Sequence, residues 1–218
     1  MTTVTEECAN RPCYPELIAI VVVGLLHVAT EFASSDVTAR LYNAVASIAF
    51  AIYLVWRVRR GKEVFRTWGM RRDNFWLALR AQLPFAVIAV LVLTGFGAAT
   101  GALRLPESFW ITLALYPVWG IAQQFALQNL IAKNLTGLFS RPVAIAGVSC
   151  ALFGASHYPR LELVLLTLVG GFFLTLIYRR IPNLWAVGIV HGILGSLVVY
   201  IVLKEDPGAA LLSFVSSR

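Results

Sequence analysis

Three glutamines, Gln123, Gln124 and Gln128, stand inside the apolar stretch YPVWGIAQQFALQNLIAKN, Tyr116 to Asn134. A carboxamide in hydrocarbon must find hydrogen-bond partners or cost on the order of several kcal/mol. Because each can donate and accept, the three could hold a peptide backbone or one another. They could also act simply as glue between helices; Gln124 and Gln128, at i,i+4, share a helical face. Two histidines follow on later apolar stretches: His157 closes Phe153-Gly-Ala-Ser-His157, and His191 opens His191-Gly-Ile-Leu-Gly195. A lone imidazole in a helix is commonly a satisfied structural group. Two on separate helices, beside a glutamine-bearing one, are a different case. The third histidine, His27, is paired at i,i+4 with Glu31. Ionisable groups within a span are functional candidates, although Glu31 falls near the outer end of its span, where water would solvate it.

The elements that carry these residues are membrane helices. With 59% hydrophobic and 13% charged residues in 218, the chain holds more apolar surface than a water-soluble core can hide. Apolar windows of about twenty residues fall at Leu17–Ala33, Leu41–Val58, Asn74–Thr100, Ser108–Ala132, Pro142–Tyr158, Leu161–Tyr178 and Leu184–Leu203. The expectation is an all-α, polytopic transmembrane helix bundle of about seven spans, with a short hairpin or broken helix at Pro159. Residues 1–16 form a polar tail, 17–203 a single transmembrane domain and 204–218 a second tail; no repeat, low-complexity run or soluble insertion interrupts them.

Charge orients the bundle. Arg57, Arg59, Arg60, Lys62, Arg66, Arg71 and Arg72 crowd one loop, which the positive-inside rule places in the cytoplasm. Alternation then puts Lys133, Arg141, Arg179 and Arg180 inside, together with Arg11, and Arg40, Arg104, Arg160, Lys204 and Arg218 outside; Arg80 lies within the third span. The expected protein is thus a multi-pass cell-membrane protein with a cytoplasmic N-terminus. Its net charge of +7 reflects topology and contact with anionic lipid, not nucleic-acid binding.

The tail lacks the basic n-region of a secretory signal, so the first span should remain as an anchor. Cys8, Cys13 and Cys150 have no histidine or further cysteine at zinc-binding spacing; reduced, structural thiols are expected, and no metal or other cofactor. Trp68, Phe75 and Trp76, after the basic loop, suit the headgroup level. Gly192 and Gly195 beside His191, and Gly154, Ala155 and Ser156 beside His157, allow backbones to approach closely and bring the imidazoles together. Gly170 and Gly171 suit the same packing on the sixth span. The five polar side chains Gln123, Gln124, Gln128, His157 and His191 are therefore expected to line one cavity.

In their order and intervals these motifs resemble the CPBP intramembrane proteases, the CAAX prenyl endopeptidase and bacteriocin-processing group. That family reads EExxxR, FxxxH and HxxxN or HxxxD. This chain reads Gln123-Gln124-x-x-x-Gln128, Phe153-x-x-x-His157 and His191-x-x-x-Gly195. Trp68-Gly69-Met70-Arg71 and the approach YRRIPNLWAVGIVHG add to the likeness, which covers about Phe65 to Val199. By this resemblance Gln123 stands where a glutamate activates water, His157 where a histidine assists, and His191 keeps half of an oxyanion-stabilising pair whose other half Gly195 cannot supply.

A carboxamide is no general base, and general acid–base catalysis contributes about 10² to 10⁴-fold. Removing the two carboxylates while keeping the arginine would strand a cation at low dielectric, and Gln128 replaces that arginine as well. The motif is neutralised as a set. Two functions follow: a pseudoprotease that binds a transmembrane or lipidated peptide among membrane lipids, as partner to an active relative, or an endopeptidase whose carboxylate comes from elsewhere, with Glu31 and His27 as substitutes. A transporter or channel ranks third, since polar residues at depth also mark permeation paths but no repeat is visible.

Overall fold

The computed structural model describes residues 12–32, 36–61, 63–209 and 212. Among them the chain forms nine α-helices and no strand: α1 (Tyr14–Phe32), α2 (Asp36–Arg60), α3 (Val64–Thr67), α4 (Phe75–Ala99), α5 (Glu107–Phe125), α6 (Lys133–Leu135), α7 (Pro142–Ala155), α8 (Leu161–Arg180) and α9 (Leu184–Leu197). Two π-helical stretches, Ala126–Ala132 after α5 and Val198–Val202 after α9, interrupt the regular pattern. Five stretches are long and apolar enough to cross a membrane: Tyr14–Phe32, Val37–Arg60, Phe75–Ala99, Leu161–Arg180 and Leu184–Val202. The all-α membrane bundle expected from composition is what the chain builds. Of the other two expected spans, Ser108–Ala132 is divided between α5 and a π-helical run, and α7 is a shorter apolar helix of 14 residues. At 1.5 Å per residue that is about 21 Å. The chain turns after it through a cis Tyr158–Pro159 bond, and α8 packs back against α7 as a hairpin.

The helices gather into two compact units, residues 1–71 with 126–182, and residues 72–125 with 183–218. In the first unit Leu127, Ile131, Ala132, Leu135, Ile145 and Phe153 form the buried cluster, with Leu17 and Ile20 of α1 against it. No residue of α1 is buried; Ile18, Leu25, Leu26 and Phe32 are exposed on it, a surface that only lipid or another apolar partner covers favourably. One end of α1 is tied by polar bonds instead. Glu16 accepts from Tyr53 Oη at 2.8 Å and from Asn134 Nδ2 at 3.4 Å. It lies 3.9 Å from the Arg57 guanidinium, and Asn134 Oδ1 accepts from Cys13 N at 2.8 Å. Arg57 is only 5% exposed, and the Glu16 carboxylate offsets part of the cost of burying its charge. Lys133, near the same groups, is held below the usual lysine range by burial, against the pull of Glu16 and with the push of Arg57.

Trp68 is packed inside the protein: it is 2% exposed, and its carbonyl accepts from Tyr178 Oη at 3.1 Å and Asn129 Nδ2 at 3.4 Å. The chain escapes α3 through Gly69 at φ +72°, a conformation that a side chain would strain, and this turns the indole inward. Cys13 is disulfide-bonded rather than reduced, whereas Cys150 is a free, buried thiol; Cys8 lies outside the described residues.

The second unit is built from α4, α5 and α9. Asn183 caps α9, its Oδ1 accepting from Ala186 N at 2.9 Å while its Nδ2 donates to Asn74 Oδ1 at 2.8 Å. Since Asn74 immediately precedes α4, one part-buried amide pair sets the N-termini of α4 and α9 side by side. At the other end Leu93, Phe109, Leu197, Val199, Tyr200 and Ile201 form the apolar cluster. There Asp206 accepts from Tyr200 Oη at 2.7 Å and Ser108 Oγ at 2.8 Å. The Tyr200 bond first, and the Ser108 bond after it, hold the Asp206 carboxyl below the usual range.

Candidate functional site

Glycine decides how closely α5 and α9 meet. A methyl group added at Gly120 would lie 2.4 Å from the Gly188 carbonyl oxygen, one at Gly188 2.7 Å from Ile121 Cα, and one at Gly192 2.4 Å from Pro117 Cα. Nothing larger than hydrogen fits at these crossings. Gly188 and Gly192 are four residues apart, on one face of α9, the small-xxx-small arrangement that lets membrane helices touch backbone to backbone. His191 is the neighbour of Gly192, so this contact carries its imidazole to the level of Gln123 and Gln124.

Both ring nitrogens are then engaged. Gln124 Nε2 lies 3.0 Å from His191 Nδ1, and His191 Nε2 lies 2.9 Å from Gln123 Oε1. An amide nitrogen only donates and an amide oxygen only accepts, which determines the tautomer: Nδ1 accepts from Gln124, and Nε2–H donates to Gln123. The ring is neutral in this arrangement, because an imidazolium would turn a second N–H toward the Gln124 amide nitrogen. Gln124 is fully buried, while Gln123 and His191 are half-buried. Three uncharged groups thus occupy the place where an acid–base pair would need a carboxylate.

Gly195 is also explained by its surroundings. A methyl group there would come within 2.8 Å of Tyr116 Cε1, so the ring of Tyr116 fills the space that a longer side chain on α9 would need. Tyr116 was not among the residues singled out from the sequence.

The remaining sequence-derived residues lie in the other unit and have partners of their own. Gln128, in the π-helical run, is 2% exposed and donates from Nε2 to Thr175 Oγ1 at 3.0 Å. Thr175 is fully buried and also hydrogen-bonds Cys150. The i,i+4 face expected to join Gln124 with Gln128 assumed α-helical winding throughout. The chain changes to π-helical turns at Ala126, and the two glutamines bond to different partners. His157 donates from Nδ1–H to the Phe153 carbonyl of its own helix at 2.9 Å, its ring edge-on to Phe153 at 5.0 Å. Phe-x-x-x-His is therefore a structural unit in its own right. His27 stacks on Tyr42 at 5.8 Å. Glu31 is exposed. Helix α1 does run against the end of α7, where a methyl group on Gly24 would meet Ser156 Cβ at 3.6 Å and the Phe32 and Tyr158 rings lie 5.7 Å apart. Sequence reasoning missed Thr175, Asn129 and Tyr178; a hydroxyl or amide inside an apolar span was the available signal. Among the described residues, no three His, Cys, Asp or Glu side chains gather as a metal site would require.

Residues 105–197 match the family of Type II CAAX prenyl endopeptidase Rce1-like proteins. The match includes Gln123, Gln124, Gln128, His157 and His191, so the stretch that carries these motif positions is similar to that family. The protein is accordingly a CAAX-protease-like membrane protein. No curated protein and no solved structure matches the chain.

The Tyr116–Gly195 contact yields a prediction. Gly195→Asn, which restores the residue type of the family motif, should overpack α5 against α9 and cost about 1–3 kcal/mol in detergent unfolding. Combined with Tyr116→Ala, the two costs should be clearly less than additive; strict additivity would mean that the ring does not occupy this space.

Proposed function

We propose that this protein keeps the prenyl-endopeptidase framework to bind a transmembrane or lipidated peptide without cleaving it, as a pseudoprotease acting beside an active relative. The observation that carries the reading is the His191 clamp, with both ring nitrogens committed to glutamine amides. Water activation needs a group that accepts a proton near neutral pH, and neither Gln123 nor Gln124 is one. The neutral replacements at Gln123, Gln124 and Gln128 avoid the cost of stranding one charge at low dielectric. They leave donors and acceptors with which a peptide backbone can pair.

A second reading has one observation in its favour. Because α1 packs at the end of α7, Glu31 belongs to a helix that borders the His157 turn, and an endopeptidase could draw its carboxylate from there, with His27 one turn below. Against it, His157 spends its Nδ1–H on Phe153, and Glu31 makes no hydrogen bond among the described residues.

Cleavage of prenylated and lipoprotein-derived peptides by the purified protein separates the two. The parent should be inactive, and Gln123→Glu with Gln128→Arg should gain measurable turnover. Turnover by the parent that Glu31→Gln abolishes would instead establish the substitute carboxylate and overturn the pseudoprotease reading.

In orientation, we place the N-terminal tail and the Arg57–Arg60 end of α2 in the cytoplasm of a multi-pass cell-membrane protein. The Glu16–Arg57 pair supports a common side for these two ends, as the Asn74–Asn183 bond does for the starts of α4 and α9. A reporter fused at Gly61 should register the cytoplasm and one at Arg104 the opposite face. Reversed signals would put the Cys13 disulfide in an oxidising compartment, where such bonds persist, and would contradict the charge rule.

A further inference from the structure

The two hydrogen bonds that join His191 to the glutamine amides run in one direction. Gln124 Nε2–H donates to His191 Nδ1 at 3.0 Å, and His191 Nε2–H donates to Gln123 Oε1 at 2.9 Å. The chain starts at a fully buried amide and ends at a half-buried one. With its oxygen accepting from the ring, Gln123 is left with Nε2 and two N–H donors, which no described group accepts. Hydrogen bonds in series polarise one another, strengthening each by about 10–30%. The terminal N–H groups of Gln123 are therefore better donors than those of an isolated carboxamide.

We infer that Gln123 is a ligand-recognition residue whose amide N–H groups bind an uncharged carbonyl oxygen, the acceptor offered by a peptide backbone or a lipid ester. This deepens the proposed peptide-binding function and rests on it for the choice of the peptide as occupant. The chemistry is the inverse of what a glutamate at the same position would offer. A carboxylate there only accepts, and would repel the carbonyl that the amide attracts. The three groups are all uncharged, so a ligand carboxylate would lose its hydration against them without gaining a cation. A carbonyl loses much less, so the site selects an internal amide or an ester over a free C-terminal carboxylate. His191 acts here as a positioning residue: it fixes which end of the Gln123 amide faces the ligand.

The test uses the full-length protein with ¹⁵N-labelled glutamine side chains, in nanodiscs of ester-linked or of ether-linked phosphatidylcholine, the latter having no carbonyl. The probe is a farnesylated peptide with an amidated C-terminus, and the same peptide as its free acid. The Gln123 amide signal is identified by its loss in Gln123→Met. The expected result is a downfield shift of the Gln123 amide protons on adding the amidated peptide, in both lipids. Affinity should fall about tenfold in both Gln123→Glu and Gln123→Met, the size of one hydrogen bond of ordinary strength, and the free acid should bind more weakly than the amide. A shift that appears in ester-linked lipid without peptide, and is absent in ether-linked lipid, would keep the carbonyl site but assign it to lipid, against the peptide-binding function. Peptide binding that is as tight in Gln123→Glu and Gln123→Met as in the parent, with no shift of the Gln123 signal, would overturn the donor role while leaving peptide binding intact. Neither binding nor any shift would overturn both.

Discussion

The backbone contact between α5 and α9 is the constraint on which the site depends. With Gly120, Gly188 and Gly192 at the crossing, no Cβ separates the helices, and the imidazole of His191 lies within hydrogen-bond distance of two amides on α5. In lipid there is no hydrophobic drive between helices, so close van der Waals contact and interhelical hydrogen bonds must hold the pair. The glycines supply the first and the Gln123–His191–Gln124 chain the second. Each reinforces the other: the contact aligns the bonds, and the bonds satisfy polar groups that the contact buries.

The neutrality of this arrangement has an energetic logic. Charges within a span are expensive unless paired, and an enzyme keeps such pairs because its reaction uses them. Here no carboxylate or arginine remains at the three glutamine positions. Gln128 takes Thr175 as its partner, Tyr116 covers Gly195, and the histidine ring is shared between two amides. Each of these side chains has a local neighbour that takes up part of its polar capacity or its space.

Composition and motif order made the class legible: an apolar, all-helical membrane protein with a CAAX-protease-like stretch. Gly192 beside His191 announced the close approach, and Gln123 and Gln124 both bond to His191. What escaped depended on backbone details that residue types do not encode. The π-helical run at Ala126–Ala132 changes the winding between Gln124 and Gln128, so a face drawn at 3.6 residues per turn misassigns their partners. The left-handed turn at Gly69 accompanies the burial of Trp68 within protein, a contact that its place beside the basic loop does not announce. Thr175 and Tyr116 were invisible for a different reason. A hydroxyl in an apolar helix and an aromatic near a proline are common, and only the partner reveals the role.

The tautomer of His191 is the most direct measure of this account. Nitrogen-15 NMR of the histidine-labelled protein in nanodiscs at neutral pH distinguishes a protonated ring nitrogen from an unprotonated one. The clamp predicts a neutral ring with the proton on Nε2 and the lone pair on Nδ1, and loss of that single state in Gln124→Ala. An imidazolium, or a ring carrying its proton on Nδ1, would contradict the direction of the hydrogen-bond chain and, with it, the reading of Gln123 as a donor.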